Sequence, residues 1–160
     1  MKGAFAALVV FVAAALAYAP EPPAQPVPFG HKQHVSLGLK CADCHTAPDP
    51  GEVMTFPSVS KCMVCHRTIK TDAPGVLALK KYAAANEEVP WVRVYQIPSW
   101  VYFSHAVHTD AGVTCDSCHG AVAQRDRLAK ETDLSMAGCM NCHRVRKATL
   151  DCAGCHEAKS

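Results

Sequence analysis

Every cysteine in this 160-residue chain belongs to a C-x-x-C-H pentapeptide, and there are five of them. They are Cys41–Cys44–His45, Cys62–Cys65–His66, Cys115–Cys118–His119, Cys139–Cys142–His143 and Cys152–Cys155–His156. This spacing is that of covalent c-type haem attachment. The two cysteines form thioethers to the porphyrin, and the adjacent histidine becomes the proximal iron ligand. Ten cysteines could instead form five disulfides, half-sites for zinc or redox dithiols. None of these accounts for a histidine directly after every second cysteine, five times out of five. Five covalent haems constrain the fold of so short a chain more than any other feature.

Residues 1–19 read as a secretory signal peptide. Lys2 supplies the positive start, Ala4 to Leu16 an apolar run, and Ala17-Tyr18-Ala19 a small-x-small cleavage site. An uncleaved anchor is the minority reading, because the apolar run is shorter than the roughly 20 residues that span a bilayer. Nothing later in the chain reads as transmembrane, and the predicted location is periplasmic. Residues 20–28, PEPPAQPVP, read as an extended proline-rich tether. Residues 29–160 form the predicted haem domain, too short for more than one domain. From Phe29 to Glu157 the chain supplies about 26 residues per haem. An ordinary aliphatic core cannot be built on that allowance. The expected fold is mostly irregular with short α-helices, its core filled by haem.

The charged side chains balance at +2, and loss of Lys2 with the leader leaves +1. Each haem adds two propionates, and each ferric core one positive charge. The holoprotein therefore carries about −4 when oxidised and about −9 when reduced. No Lys/Arg run accompanies this balance, so nucleic acid is excluded as a partner.

The chain repeats itself at an offset of 74 residues. Phe29-Gly-His31-Lys-Gln-His34 precedes Cys41 as Phe103-Ser-His105-Ala-Val-His108 precedes Cys115. The repeats span about 29–70 and 103–147, with the fifth motif, 152–156, appended. Such self-similarity marks an internal duplication. Between the repeats a helix is expected, capped by Asp72, with Pro74 in its first turn and Pro90 as its limit. Its apolar stripe is Val76, Leu79 and Ala83 with Tyr82 beside it, and Lys80 and Lys81 point to solvent. A second short helix is expected over Val122–Lys130. Trp91–Tyr95 reads as extended, with Pro98 interrupting. Trp91, Tyr95, Trp100 and Tyr102 are read as packing on haem faces.

Nine histidines are present, and five are proximal. The other four, His31, His34, His105 and His108, all lie in the two F-x-H-x-x-H blocks, which makes them candidate distal ligands. At i and i+3 on one helical turn, two imidazoles can serve two neighbouring irons. Four distal histidines leave one iron unpaired, and methionine is a known partner of histidine in such sites. Met63 and Met140 lie inside attachment loops, so Met54 and Met136 are the candidates.

These residues resemble the cytochrome c3/c7 superfamily. More closely, the stretches His31–His66, Trp91–Val94, Trp100–His108 and Leu134–Cys139 resemble the pentahaem cytochrome subunit of alternative complex III, a bacterial quinol:electron-acceptor oxidoreductase. That resemblance implies four bis-histidine irons and one histidine–methionine iron, with Met136 as the methionine. It implies electron transfer with no catalytic residues, between redox partner proteins that include a membrane quinol-oxidising complex. A free periplasmic carrier fits the same residues. The rival expectation is a multihaem reductase of a small nitrogen or sulfur substrate at one open iron.

Overall fold

The computed structural model describes residues 21–49 and 51–157. The predicted signal peptide lies outside the described residues. Among the described residues there are eight short α-helices and one 3-10 turn, joined by irregular chain, and no strand. In chain order they are α1 His31–Ser36, α2 Cys41–Cys44, α3 Val59–His66, α4 Pro74–Ala85, α5 His105–Asp110, α6 Asp116–His119, the 3-10 turn Val122–Gln124, α7 Met136–Arg146 and α8 Ala153–His156. No helix among them is long and apolar enough to cross a membrane.

The helices follow the motifs. α1 and α5 carry the paired histidines of the two F-x-H-x-x-H blocks, and α2, α3, α6, α7 and α8 carry cysteines or histidines of the five C-x-x-C-H motifs. Serines begin three of them. The hydroxyls of Ser58, Ser104 and Ser135 accept from the N–H groups of Lys61, Val107 and Gly138, satisfying donors that the first turn leaves unpaired.

Among the described residues, the one sizeable apolar cluster joins α3 to α4. Val59 and Met63 of α3 meet Leu79 of α4, with Val27 and Val89 closing the sides and Tyr82 and Trp91 packed against them. No side chain among the described residues is fully enclosed by protein.

Four expectations change. The inter-repeat helix is capped at Ala73, not Asp72, and Pro74 occupies its first position. It stops at Ala85, well before Pro90, because Asn86 takes the left-handed conformation (φ 54°) that ends a helix. Lys80 is held by the Thr71 carbonyl rather than free in solvent. The expected helix over Val122–Lys130 is only the 3-10 turn. Arg125 is extended (φ −110°, ψ 134°), and its carbonyl accepts the N–H of Lys32 in α1. A tertiary bond here overrides local helix preference.

The proline-rich segment is laid against the fold. The Gln25 amide both donates to and accepts from the backbone of Val92, Val27 is buried, and the Pro22 carbonyl accepts from Arg127.

Candidate haem sites

Each non-motif histidine faces a motif histidine. The ring centres of His31 and His45 are 6.3 Å apart, those of His34 and His66 6.2 Å. In the second repeat His105 and His119 are 6.4 Å apart, and His108 and His143 6.1 Å. A shared iron requires such spacing. A nitrogen–metal bond of about 2.0 Å, as in other imidazole sites, plus about 1.1 Å from nitrogen to ring centre, gives about 6.2 Å across the metal. All four pairs fit. No histidine remains to face His156.

The rings are also presented in the correct tautomer. The Nδ1 of His45 donates to the Thr55 carbonyl (2.8 Å), that of His105 to Glu52 (2.8 Å) and that of His143 to Thr149 (2.6 Å). His34 and His108 donate to Gly30 and Ser104, four residues back, both at 2.8 Å. His66 donates to Ile69 and His156 to Trp100. A carbonyl only accepts, so Nδ1 carries the proton in each case and Nε2 is left with its lone pair for a metal.

Burial adds to this at His31. It pushes the pKa from 6.5 down to about 4, with smaller contributions from His45 and His34. At His119 burial again lowers the pKa, with His105 and His45 adding to it. Desolvation disfavours the imidazolium, so both rings are held in the neutral form that binds metals.

Phe29 and Phe103 hold the paired rings apart. Phe29 meets His31 edge-on at 4.9 Å and stacks on His34 at 4.3 Å. Phe103 meets His105 edge-on at 4.8 Å and lies on His108 at 4.5 Å. The sequence marks both phenylalanines through their place in the repeated block but says nothing of this wedge. The carbonyl acceptors leave no mark in the sequence, since any residue supplies one. Tyr95 sits edge-on to His119 at 5.0 Å and donates its hydroxyl to the His119 carbonyl. Trp91 faces Phe29 and Phe56, whereas Trp100 is mostly exposed.

None of the ten cysteines is disulfide-bonded, and no group of three or more His, Cys, Asp or Glu side chains converges on one point among the described residues. The thiols of different motifs are neighbours. Burial raises the Cys62 thiol pKa, and Cys44 raises it further. Burial followed by Cys115 acts on Cys41, burial followed by Cys142 and Cys139 on Cys118, and burial followed by Cys155 on Cys139. Met54 is half-buried beside Thr55. Met63 is buried in the apolar cluster, Met140 is half-buried, and Met136, the first residue of α7, is 65% exposed.

Comparison with known proteins covers both halves of the chain. Residues 10–87 match the class III cytochrome c family, and residues 101–159 match cytochrome c7 and related cytochromes c. The multihaem cytochrome c subunit of menaquinone reductase from Nitratidesulfovibrio vulgaris (strain Hildenborough) is 29% identical over 162 positions, covering 83% of this chain and 77% of the relative. With no strand among the described residues, short helices and C-x-x-C-H motifs throughout, the chain has the fold and motifs of a c3/c7-like multihaem cytochrome c, which points to electron transfer.

Proposed function

We propose that this chain holds five c-type haems and serves as the electron-transfer subunit of a quinone-linked respiratory complex outside the cytoplasm. The four histidine pairs at iron-spanning distance carry this reading. Bound haem supplies an iron that gains or loses one electron.

The polypeptide's part is to attach, ligate and tune. Cys41 and Cys44 with His45 and His31 form the first site, and Cys62 and Cys65 with His66 and His34 the second. Cys115 and Cys118 with His119 and His105 form the third, and Cys139 and Cys142 with His143 and His108 the fourth. Cys152, Cys155 and His156 form the fifth. The matched geometry of the two F-x-H-x-x-H blocks supports an internal duplication. The fifth site's sixth ligand is assigned to Met136. It stands one turn before Cys139, whose thiol neighbours Cys155. Met54 instead adjoins Thr55, beside a site that already has two histidines.

Quinone linkage comes from the relative, which is named as a subunit of menaquinone reductase. The alternative complex III resemblance points to the same class of partner. A spectroelectrochemical titration of the purified protein, together with exposure to carbon monoxide, tests the reading. Reversible reduction of every site with negligible carbon monoxide binding is the expected result.

A second reading has its own observation: all four non-motif histidines are taken, so His156 faces none. Stoichiometric carbon monoxide binding to one site, or steady nitrite or hydroxylamine reduction, would move the assignment to a reductase with an open fifth iron.

A further inference from the structure

The two repeats cross into one another. A strap of the first, Gly51–Thr55, is tied at one end to its own repeat. Thr55 N–H donates to the Thr46 carbonyl (2.8 Å), the two threonine hydroxyls meet at 3.0 Å, and the Thr55 carbonyl accepts from His45 Nδ1. At the other end the strap joins the second repeat. The Gly51 carbonyl accepts from Ala106 N–H (3.0 Å), and the Glu52 carbonyl accepts from His105 Nδ1 (2.8 Å). The five residues of this strap thus hold a histidine of the first site and a histidine of the third. Gly51 is buried at φ +83°, and a Cβ added there would strike the Cβ of Ala106. Only glycine allows so close a crossing in that conformation.

The reverse crossing is also present. Adding 74 to Gly51 gives Arg125, and subtracting 74 from Ala106 gives Lys32. The Arg125 carbonyl accepts from Lys32 N–H at 3.0 Å, the equivalent bond at the same length in the opposite sense. Beside it, Asp126 lies against Gly30, where an added Cβ would sit 3.2 Å from the carboxylate. Residue i of one half meets j of the other, and j meets i, as at a two-fold interface between identical subunits.

We infer that the halves are locked by this reciprocal clasp, and that the first and third sites are each oriented by a strap from the opposite half. For the third site the strap reaches His105 directly. For the first it holds α1 at Lys32, next to His31. This rests on the histidine pairing proposed above. A hydrogen bond from Nδ1–H of a ligating histidine fixes its ring plane and raises its basicity. The clasp therefore sets ring orientation at the two sites whose rings are near-parallel, 12° and 6° apart.

The test is electron paramagnetic resonance on the full-length, haem-loaded protein. Signals of the first and third sites are identified by their loss in His31→Ala and His105→Ala. In Gly51→Ala those two signals should shift together, while those of the His34/His66 and His108/His143 sites stay in place. Adding Ala106→Gly removes the collision and should return both toward wild type. Movement of only one signal, equal movement of all four, or no response to Ala106→Gly would overturn the clasp. Should Gly51→Ala fail to fold, Thr55→Val removes only the hydroxyl bonds to Thr46, and the same two signals should move; unchanged signals overturn the inference. Intact mass of the same samples separates the two claims. Fewer than five haems with the paired response intact sinks the count alone, and five haems without it sinks the clasp alone.

Discussion

At His31, burial and the nearby His45 and His34 rings hold the pKa at about 4 against an ordinary 6.5. The unfolded chain therefore binds a proton there between about pH 6.5 and about pH 4 that the folded chain refuses. Stability is full above pH 6.5 and declines as the pH falls through that window. Thermal melts from pH 8 to pH 4 should be flat at the top and slope downward below 6.5, and His31→Met should make that slope shallower. Ring planes give a second outcome at this scale. The first and third pairs are near-parallel, whereas His34 and His66 cross at 68° and His108 and His143 at 46°. Parallel imidazoles act on the same iron d-orbital and separate it from its partner, whereas crossed rings act on both. Two ordinary rhombic low-spin signals and two signals of larger maximum g should therefore appear in the oxidised protein. A single class of signal would count against the pairing. The candidate ligands were legible in the sequence, because C-x-x-C-H spacing marks five histidines and the repeated block isolates the remaining four. Which ring faces which was not legible. That depends on how α1 and α5 are set against the motif helices, and no local rule encodes it.

Among the elements, α3 and α4 form the clearest packed unit. Leu79 is 5% exposed and lies against Val59 and Met63. Leu79→Ala should cost about 2–4 kcal/mol through lost burial and the cavity left behind. A denaturation curve checks it, with the second site, carried by α3, affected before the others. Ser104→Ala removes the cap of α5 and should cost about 1 kcal/mol. Its effect should fall on the His105 and His108 sites. The α4 helix was readable from Pro74 and the Val76/Leu79 stripe, since both are local signals. Its end was not, because Asn86 rather than Pro90 supplies the left-handed stop. The segment after Val122 misled for the opposite reason: helix-compatible residues are drawn out straight so that Arg125 can reach Lys32. The contacts of the proline-rich segment were equally hidden. Its prolines do favour extended chain, but Gln25 and Val27 find partners in distant Val92 and the apolar cluster, and distant partners leave no periodicity.

Across the whole molecule, neighbouring thiols order the sites. Cys62 lies by Cys44, Cys41 by Cys115, Cys118 by Cys139 and Cys142, and Cys139 by Cys155. Under the proposed site assignment these neighbours give a file that runs second, first, third, fourth, fifth, with the proposed clasp at the first–third junction. If Met136 completes the fifth site, thioether sulfur favours ferrous iron and puts the highest potential at that end of the file. Met136→His should then lower one potential and abolish the thioether–iron charge-transfer band, leaving four potentials nearly unchanged. Survival of that band in Met136→Ala with its loss in Met54→Ala would transfer the role to Met54. The decisive quantity is the number of haems that ten cysteines and nine histidines hold. Intact-mass spectrometry of the protein matured in a host with haem-attachment machinery should give the polypeptide plus five covalent haems. A mass short by one or more haems, or that of a disulfide-bonded chain carrying none, would contradict it.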